Sequence, residues 1–413
     1  MTAFPGFARL LAVLAASGAL AFPALAAGPK AYVGNFKDST LSVIDTGSER
    51  VLATVPVAAG PDGIVISPNG QRVFVSGSSA SAVSEIDAAT DRVTHTIEVG
   101  QGPQGLATTA DGRWVLVAVN GDDRVAFIDT ATHAVGASVA VPKPHTIAVR
   151  PDGRQAYVAS QAPGHFALVV LDLATRKAVS EIALDKPPRD LEFGPDGKAL
   201  YLTLAGVPAV QVLDATTNQW LAPIPTGVSP HIAQHFAGMA SGVVVVQGPG
   251  EVMLFDPATR TPGRSIAVGK QPHWLDISAD GAKLWVSNEG SNDVSVIDLA
   301  GGPSHTVAVG NAPRKVAVQR AAPAEHAGGS AHVAIRNFAF EPAQITVKVG
   351  QPVSWKNDDG APHGVVFRKG GPAGMDLMLP GQNFTQTFDK PGVYDYACSV
   401  HPYMTARVTV IAP

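Results

Sequence analysis

Cysteine occurs once in the 413 residues, at Cys398. A single thiol excludes an intramolecular disulfide, a cysteine-ligated iron–sulfur cluster and a cysteine-rich zinc site within one chain. Charge is scarce: Asp, Glu, Lys and Arg make up 15% of the chain, with a formal net charge of −4. That balance excludes the basic face a nucleic-acid binder needs and the charge-rich character of a disordered chain. Beyond the N-terminal segment there is no run of about eighteen apolar residues, so no later helix is expected to span a membrane. What the chain does have is 46% hydrophobic residues, 42 glycines and 33 prolines without a collagen-like period. This composition suits a large core threaded by many turns.

The N-terminus carries Arg9, an apolar run from Leu10 to Phe22, and Ala24-Leu25-Ala26 in an Ala-x-Ala cleavage pattern. Residues 1–26 are expected to be a cleaved secretory signal, placing the protein in the periplasm. A lone cysteine in an oxidising compartment has nothing to pair with, and metal ligation would explain it.

One phrase recurs about every 41 residues: Lys30-Ala-Tyr-Val, Arg72-Val-Phe-Val, Arg113-Trp-Val-Leu-Val, Gln155-Ala-Tyr-Val, Ala199-Leu-Tyr-Leu, Val243-Val-Val-Val and Lys283-Leu-Trp-Val. Each is followed by a turn and a strand of the type Leu41-Ser-Val-Ile-Asp45 or Val294-Ser-Val-Ile-Asp298, then a third strand, a proline and a short fourth strand. Units of three or four strands at this period are the mark of propeller blades. Tyr32-Val-Gly-Asn35 and Trp285-Val-Ser-Asn288 resemble the Tyr-Val-Thr-Asn motif of the YVTN family of seven-bladed β-propellers, over residues 30–320. The first copy lacks an inner strand, and Lys315-Val-Ala-Val-Gln319 is an inner strand with no blade after it. Pairing the two ends would complete a seventh blade and remove the open sheet edges.

Residues 321–331 read as a linker, and residues 332–413 as a β-sandwich of alternating strands. The fold class expected is therefore all-β, a seven-bladed β-propeller followed by a sandwich. Within the sandwich stand Cys398-Ser-Val-His401-Pro-Tyr-Met404 and, upstream, Pro362-His363-Gly-Val-Val. A thiolate with two imidazoles and a weak axial thioether suits copper that alternates between two oxidation states. The spacing resembles the cupredoxins, in particular the amicyanin/plastocyanin-like blue copper domains. That resemblance implies a type 1 copper ligated by His363, Cys398, His401 and Met404. Gly364 departs from it, because many relatives carry there an asparagine that ties the two ligand loops together. The reduction potential does not transfer from them. Met375 and Met378 are expected in a loop, packing in an apolar rim around the metal.

The proline before each inner strand fixes a register across the blades. The residues that follow it are Asp62, Gln104, His145, Arg189, His231, His273 and Arg314, a polar ring expected at one mouth of the channel. Asn35, Lys37, Asn120, His165, Asn288 and Glu289 belong to loops on the same side, and His235 is expected on the strand face of His231. The three ring histidines are candidate ligands for a second metal, or, with Arg189 and Arg314, for a small anionic substrate; Asp62 offers a counter-charge or proton acceptor. A catalytic role for this ring is left open. His95, His133, His305, His326 and His332 read as solvated. A propeller followed by a cupredoxin also looks like nitrous oxide reductase, but that enzyme's centres need two cysteines and seven channel histidines.

Three functions compete at this point. The first is an exported single-electron carrier with a type 1 copper, serving a redox partner of the cytochrome c or dehydrogenase kind, the propeller acting as docking or catalytic body. The second is a copper-dependent oxidoreductase whose substrate or second metal sits at the mouth. The third is a non-redox copper carrier or scaffold.

Overall fold

The computed structural model describes residues 29–320, 331–336, 338–368 and 371–411. The expected signal segment and nearly all of the expected linker, with His326, lie outside these residues.

Residues 30–318 form seven antiparallel sheets, one per blade. The second strand of a blade is hidden on both faces, as in Lys30–Asn35, where every residue is buried. This explains the unbroken apolar phrases of the repeat. The outermost strand, such as Arg50–Pro56, is mostly exposed. We number the blades by their inner strands: Pro61–Ile66, Pro103–Thr108, Pro144–Val149, Pro188–Phe193, Pro230–Gln234, Pro272–Ile277 and Pro313–Val318. Blade 7 joins the two ends of the ring, since Pro313–Val318 pairs with Lys30–Asn35 in the register Ala31↔Val318 and Val33↔Val316. Ring closure therefore occurs between the strands the repeat phase designates. In blade 4 the outermost strand breaks into Gln219–Trp220 and Ile224–Pro225, where Pro223 removes a ladder donor.

The aspartate that ends each repeat phrase caps a turn. Asp45 accepts from the Ser48 backbone and hydroxyl, both at 2.7 Å, and Asp87 accepts likewise from Thr90. These hydrogen bonds hold both carboxyls below the usual carboxylate range. Four residues after the aspartate the chain turns left-handed, at Glu49, Asp91, His133, Arg176, Asn218 and Arg260. That turn aims side chains across the blade boundary: Asp91 reaches Lys30 at 2.8 Å, Asn218 accepts from the Tyr157 hydroxyl at 2.8 Å, and Arg176 lies over the Trp114 ring at 4.1 Å.

The C-terminal unit is a two-sheet sandwich. One sheet has the order Ala339–Glu341, Ala331–Arg336, Pro352–Asn357, Asn383–Thr387; the other runs Gln344–Lys348, Thr405–Ile411, Gly392–Ala397, His363–Phe367, Met375–Met378. Its first strand begins at Ala331, one residue inside the expected linker. Trp355 and Tyr396 are fully buried at its centre, with Phe340, Phe367 and Phe388 around them. Met375 and Met378 are not in a loop. They start and end a short strand paired with the His363 strand, and Met378 is fully buried.

Candidate metal centre

His363 opens the strand His363–Phe367, whereas Cys398 and His401 occupy the loop between Gly392–Ala397 and Thr405–Ile411. Strand pairing of Val366 with Ala397 brings the loop onto the histidine. Cys398 Sγ lies 3.6 Å from His363 Nδ1 and 3.7 Å from His401 Nδ1, and the two nitrogens are 3.2 Å apart. Three donors set trigonally about 2.0–2.3 Å from one ion would stand roughly 3.5 Å from each other, so the trio fits a single metal. A soft thiolate and two imidazoles are the donor set that suits copper. His363 and Cys398 are buried and His401 is half-buried. Met404 is buried in the same loop, which is pinned by Cys398 N–H to the Met404 carbonyl at 3.0 Å and Met404 N–H to the His401 carbonyl at 2.9 Å.

The surroundings are preorganised by residues the motif does not reveal. His363 donates from Nε2 to Asp359 Oδ2 at 2.8 Å, which leaves Nδ1 free to ligate. The same oxygen accepts the Phe338 N–H at 2.9 Å, and the Phe338 ring stands edge-on to both imidazoles at 5.4 and 5.0 Å. Asn357, fully buried, donates to the carbonyls of Ala361 and Met378 at 2.9 Å and so joins the segment before His363 to the adjoining short strand. Gly364 has a reason of its own: a Cβ there would come within 2.1 Å of Ser399 Oγ and 2.4 Å of the Asp376 carbonyl. The two ligand segments are tied by Gly364 N–H, which points at Cys398 Sγ from 3.4 Å. His401 N–H points at the same sulfur from 3.3 Å, and Ser399 Oγ donates to the Asp376 carbonyl of the adjoining strand.

Partners that orient a ligand typically carry about 10–100-fold of metal affinity. Asp359→Ala is expected to weaken copper binding by about that factor while the sandwich stays folded, as read by chelator competition and circular dichroism. Unaltered affinity would mean that packing alone fixes the ring.

Five of the seven positions expected at the propeller mouth border one cavity. Asp62, His145, Arg189, His231 and His273 line one small cavity of about 40 Å³, enough for a few waters or an ion. His231 and His273 rings are 4.0 Å apart. Burial, with Arg189, His145 and Arg314 nearby, pushes His231 down to about 3. Burial also lowers His145 and places His273 well below its ordinary value. The three imidazoles are neutral at pH 7, and the Nδ1 atom of each is buried without a hydrogen-bond partner. Arg314 is matched by Asp62 at 3.1 Å and Glu289 at 3.2 Å, whereas among the described residues Arg189 donates to the neutral Ser229 and Gln247. Gln104 belongs to the same ring position, its Oε1 buried and unpartnered. Among the described residues, trios of His, Cys, Asp and Glu ligand atoms within 4.8 Å of one another occur at His363–Cys398–His401 and at Glu85–His95–His133, not at the mouth.

Other expected neighbours are engaged elsewhere. Asn35 and Asn288 are buried and donate to Ser42 and Ser295, both at 2.9 Å, and His165 pairs with Glu181 on an outermost strand at 2.6 Å. His235 lies beyond the end of its strand, against the Met239 carbonyl at 3.0 Å. His305 contacts Glu49, and His332 contacts Ser354 at 3.1 Å, so neither is simply solvated. The register reading missed Asp190 and Lys315, which share the cavity with the ring. A bulge in each of these inner strands, as between Pro188 and Asp190, turns the second residue after the proline inward as well. The repeated Pro-x-Gly at Pro61 and Pro103 was the available signal for that bulge. Burial raises the Asp190 carboxyl, and it raises Glu192 to about 7.

A sandwich that holds a buried cysteine sulfur between two imidazoles defines a cupredoxin, a copper protein. The profile of copper binding proteins of the plastocyanin/azurin family matches residues 327–411, and that of the YNCE-like beta-propellers matches residues 8–112. The C-terminal part is 34% identical over 90 residues to amicyanin-alpha of Methylorubrum extorquens, covering 21% of this chain and 76% of that protein. It is 39% identical over 93 residues to amicyanin of Paracoccus denitrificans, covering 22% of this chain and 71% of the relative. Through this domain the chain belongs to the plastocyanin/azurin family, and copper is its metal. The fold of the larger part is shared with a chain of Kuenenia stuttgartiensis hydrazine synthase, at TM-score 0.61 and 18% identity over 70% of this chain and 100% of that one. No helix of the described residues is long and apolar enough to cross a membrane.

Proposed function

We propose that this copper electron-transfer protein works in the periplasm through a type 1 centre formed by His363, Cys398, His401 and Met404, with the propeller as its docking body. The observation that carries the reading is the buried Cys398 sulfur flanked by two imidazole Nδ1 atoms at 3.6 and 3.7 Å. Copper bound there supplies a one-electron couple. The chain's part is to hold the ligands in a rigid sandwich, to aim two N–H groups at the sulfur, and to keep water away with Phe338, Met378 and Met404. The Arg9-to-Ala26 segment supports export, and the partner expected is a cytochrome c or a dehydrogenase-like protein.

The test is metal content with the visible spectrum of the copper-loaded chain. One copper per chain with intense visible absorption is the expected result, because a thiolate bound to Cu(II) gives strong charge transfer. A colourless copper-loaded chain would favour a carrier or scaffold.

His401 is the exit for the electron in this reading. Its ring lies 5.9 Å from that of Tyr403, which is 70% exposed, and Val400 beside it is 44% exposed. Tyr403→Glu is therefore expected to slow transfer to a partner, seen by stopped-flow mixing, without bleaching the absorption. Equal rates would remove this face from the path.

A second reading rests on the three unpartnered Nδ1 atoms at the mouth. Neutral imidazoles are competent metal ligands, and Arg189 is the guanidinium left for a small anion. In this reading the protein is a copper-dependent oxidoreductase, and His231→Ala removes a second metal or the activity while the visible absorption persists. A triple His145, His231, His273→Ala variant with full metal content and full redox activity would reduce the ring to a wet channel mouth.

A further inference from the structure

Glu85 is a buried carboxyl group faced by one guanidinium and two imidazoles. It lies in the middle of the strand Ala82–Asp87 in blade 1, with its side chain 3% exposed. Its Oε1 is 3.5 Å from Arg72 Nη1, a long contact, and that guanidinium nitrogen also donates to the Thr130 carbonyl. Its Oε2 faces two histidines. His133 Nδ1 is at 2.7 Å and His95 Nδ1 at 3.8 Å. Removing a carboxylate from water is costly unless charge and hydrogen bonds replace the solvent. Arg72, His95 and His133 are the groups in place to do so.

The two histidines arrive by different routes. His95 is directly opposite Glu85 on the neighbouring strand of the same blade. His133 comes from blade 2, from the left-handed turn position that latches each blade to the one before. Their rings stack at 3.6 Å with an interplanar angle of 12°, with both Nδ1 atoms beside one carboxylate oxygen. Near-parallel ring planes do not converge on one ion, so ligation requires the His95 ring, 44% exposed, to turn out of the stack. At other boundaries the latch is an ion pair, a hydroxyl–amide bond or a guanidinium over an indole. Here it is two imidazoles and a buried carboxylate whose ligand atoms all lie within 4.8 Å of one another.

We propose that Glu85, His95 and His133 form a second transition-metal site, for a Zn²⁺-class divalent ion, clamping blade 1 to blade 2. Two imidazoles and one carboxylate are a donor set for zinc, with a fourth position open. His95 is 44% exposed on its side chain, so that position faces solvent. Arg72, on the other carboxylate oxygen, orients Oε2 as an outer-sphere partner does. Because its ligands come from two blades, binding of the ion adds to propeller stability.

The experiment is calorimetric titration of the copper-loaded full chain with Zn²⁺, the copper blocking the cupredoxin site, accompanied by thermal unfolding with and without Zn²⁺. One Zn²⁺ per chain and a raised propeller transition are expected. His95→Phe, which keeps a stacked ring at an exposed position, and His133→Asn, which tolerates the left-handed turn, should each weaken Zn²⁺ binding by about 100-fold or more with the visible absorption intact. Glu85→Gln should do the same. Wild-type protein that takes up no Zn²⁺, or variants that bind it as tightly as wild type, would overturn the site. Zn²⁺ uptake lost in His145→Ala but kept in His95→Phe would transfer the ion to the channel mouth and overturn it equally.

Discussion

Replacing Cys398 by alanine is expected to abolish the visible absorption of the copper-loaded chain and to lower its copper content by one ion. The thiolate is the soft donor of the trio, and without it two imidazoles 3.2 Å apart at Nδ1 are left as nitrogen ligands. The propeller should be unaffected, because the sandwich core and the propeller cores share no residue. Circular dichroism and a separate unfolding transition for residues 30–318 check that point. Colour that survives the substitution would sink the thiolate assignment.

The second large effect is expected at the seam of the ring. Lys30 stands in blade 7 with its side chain 5% exposed, its ammonium 2.8 Å from both oxygens of Asp91 in blade 1 and 2.8 Å from the Ala88 carbonyl. Asp91→Asn keeps the shape and tolerates the left-handed turn but removes the counter-charge. A buried ion left without its partner costs about 3–5 kcal/mol, so the propeller transition in urea should move to markedly lower concentration. The absorption of the copper centre should not change. A transition that stays in place would mean that the Lys30 ammonium reaches water and that the seam relies on its strand pairing alone.

The fold was legible because its evidence is repeated. Seven copies of one phrase share a phase, and that phase puts Pro313–Val318 beside Lys30–Asn35 across the whole length of the ring. The copper trio was legible for a different reason: Cys398 and His401 are neighbours in one loop, and only His363 had to be found at a distance. Asp359, Phe338 and Asn357 were not legible. Asp359 is only four residues from His363, but nothing in the sequence says that the intervening turn aims its carboxylate at the ring. Phe338 and the Met378 carbonyl that Asn357 reaches come from distant segments. The Glu85 cluster escaped for the same reason. His133 looks like any turn residue until the left-handed backbone carries it over the neighbouring blade. The count from the prolines found five residues that share a cavity, whereas the bulge that brings Asp190 and Lys315 beside them shifts the alternation on which such a count depends.

Joining the first strand to the last also sets the order in which the molecule can form and fail. Blades 1 to 6 are each built from consecutive chain, but blade 7 exists only once Pro313–Val318 has been synthesised and has found Lys30–Asn35. Until then Lys30–Asn35 is an open template for pairing with foreign strands. Contacts this remote in sequence form slowly, so closure is the natural kinetic bottleneck of folding. Opening the same seam is the natural first event of unfolding. The working lifetime of the propeller is then a question of how often the seam opens, a half-life rather than a midpoint.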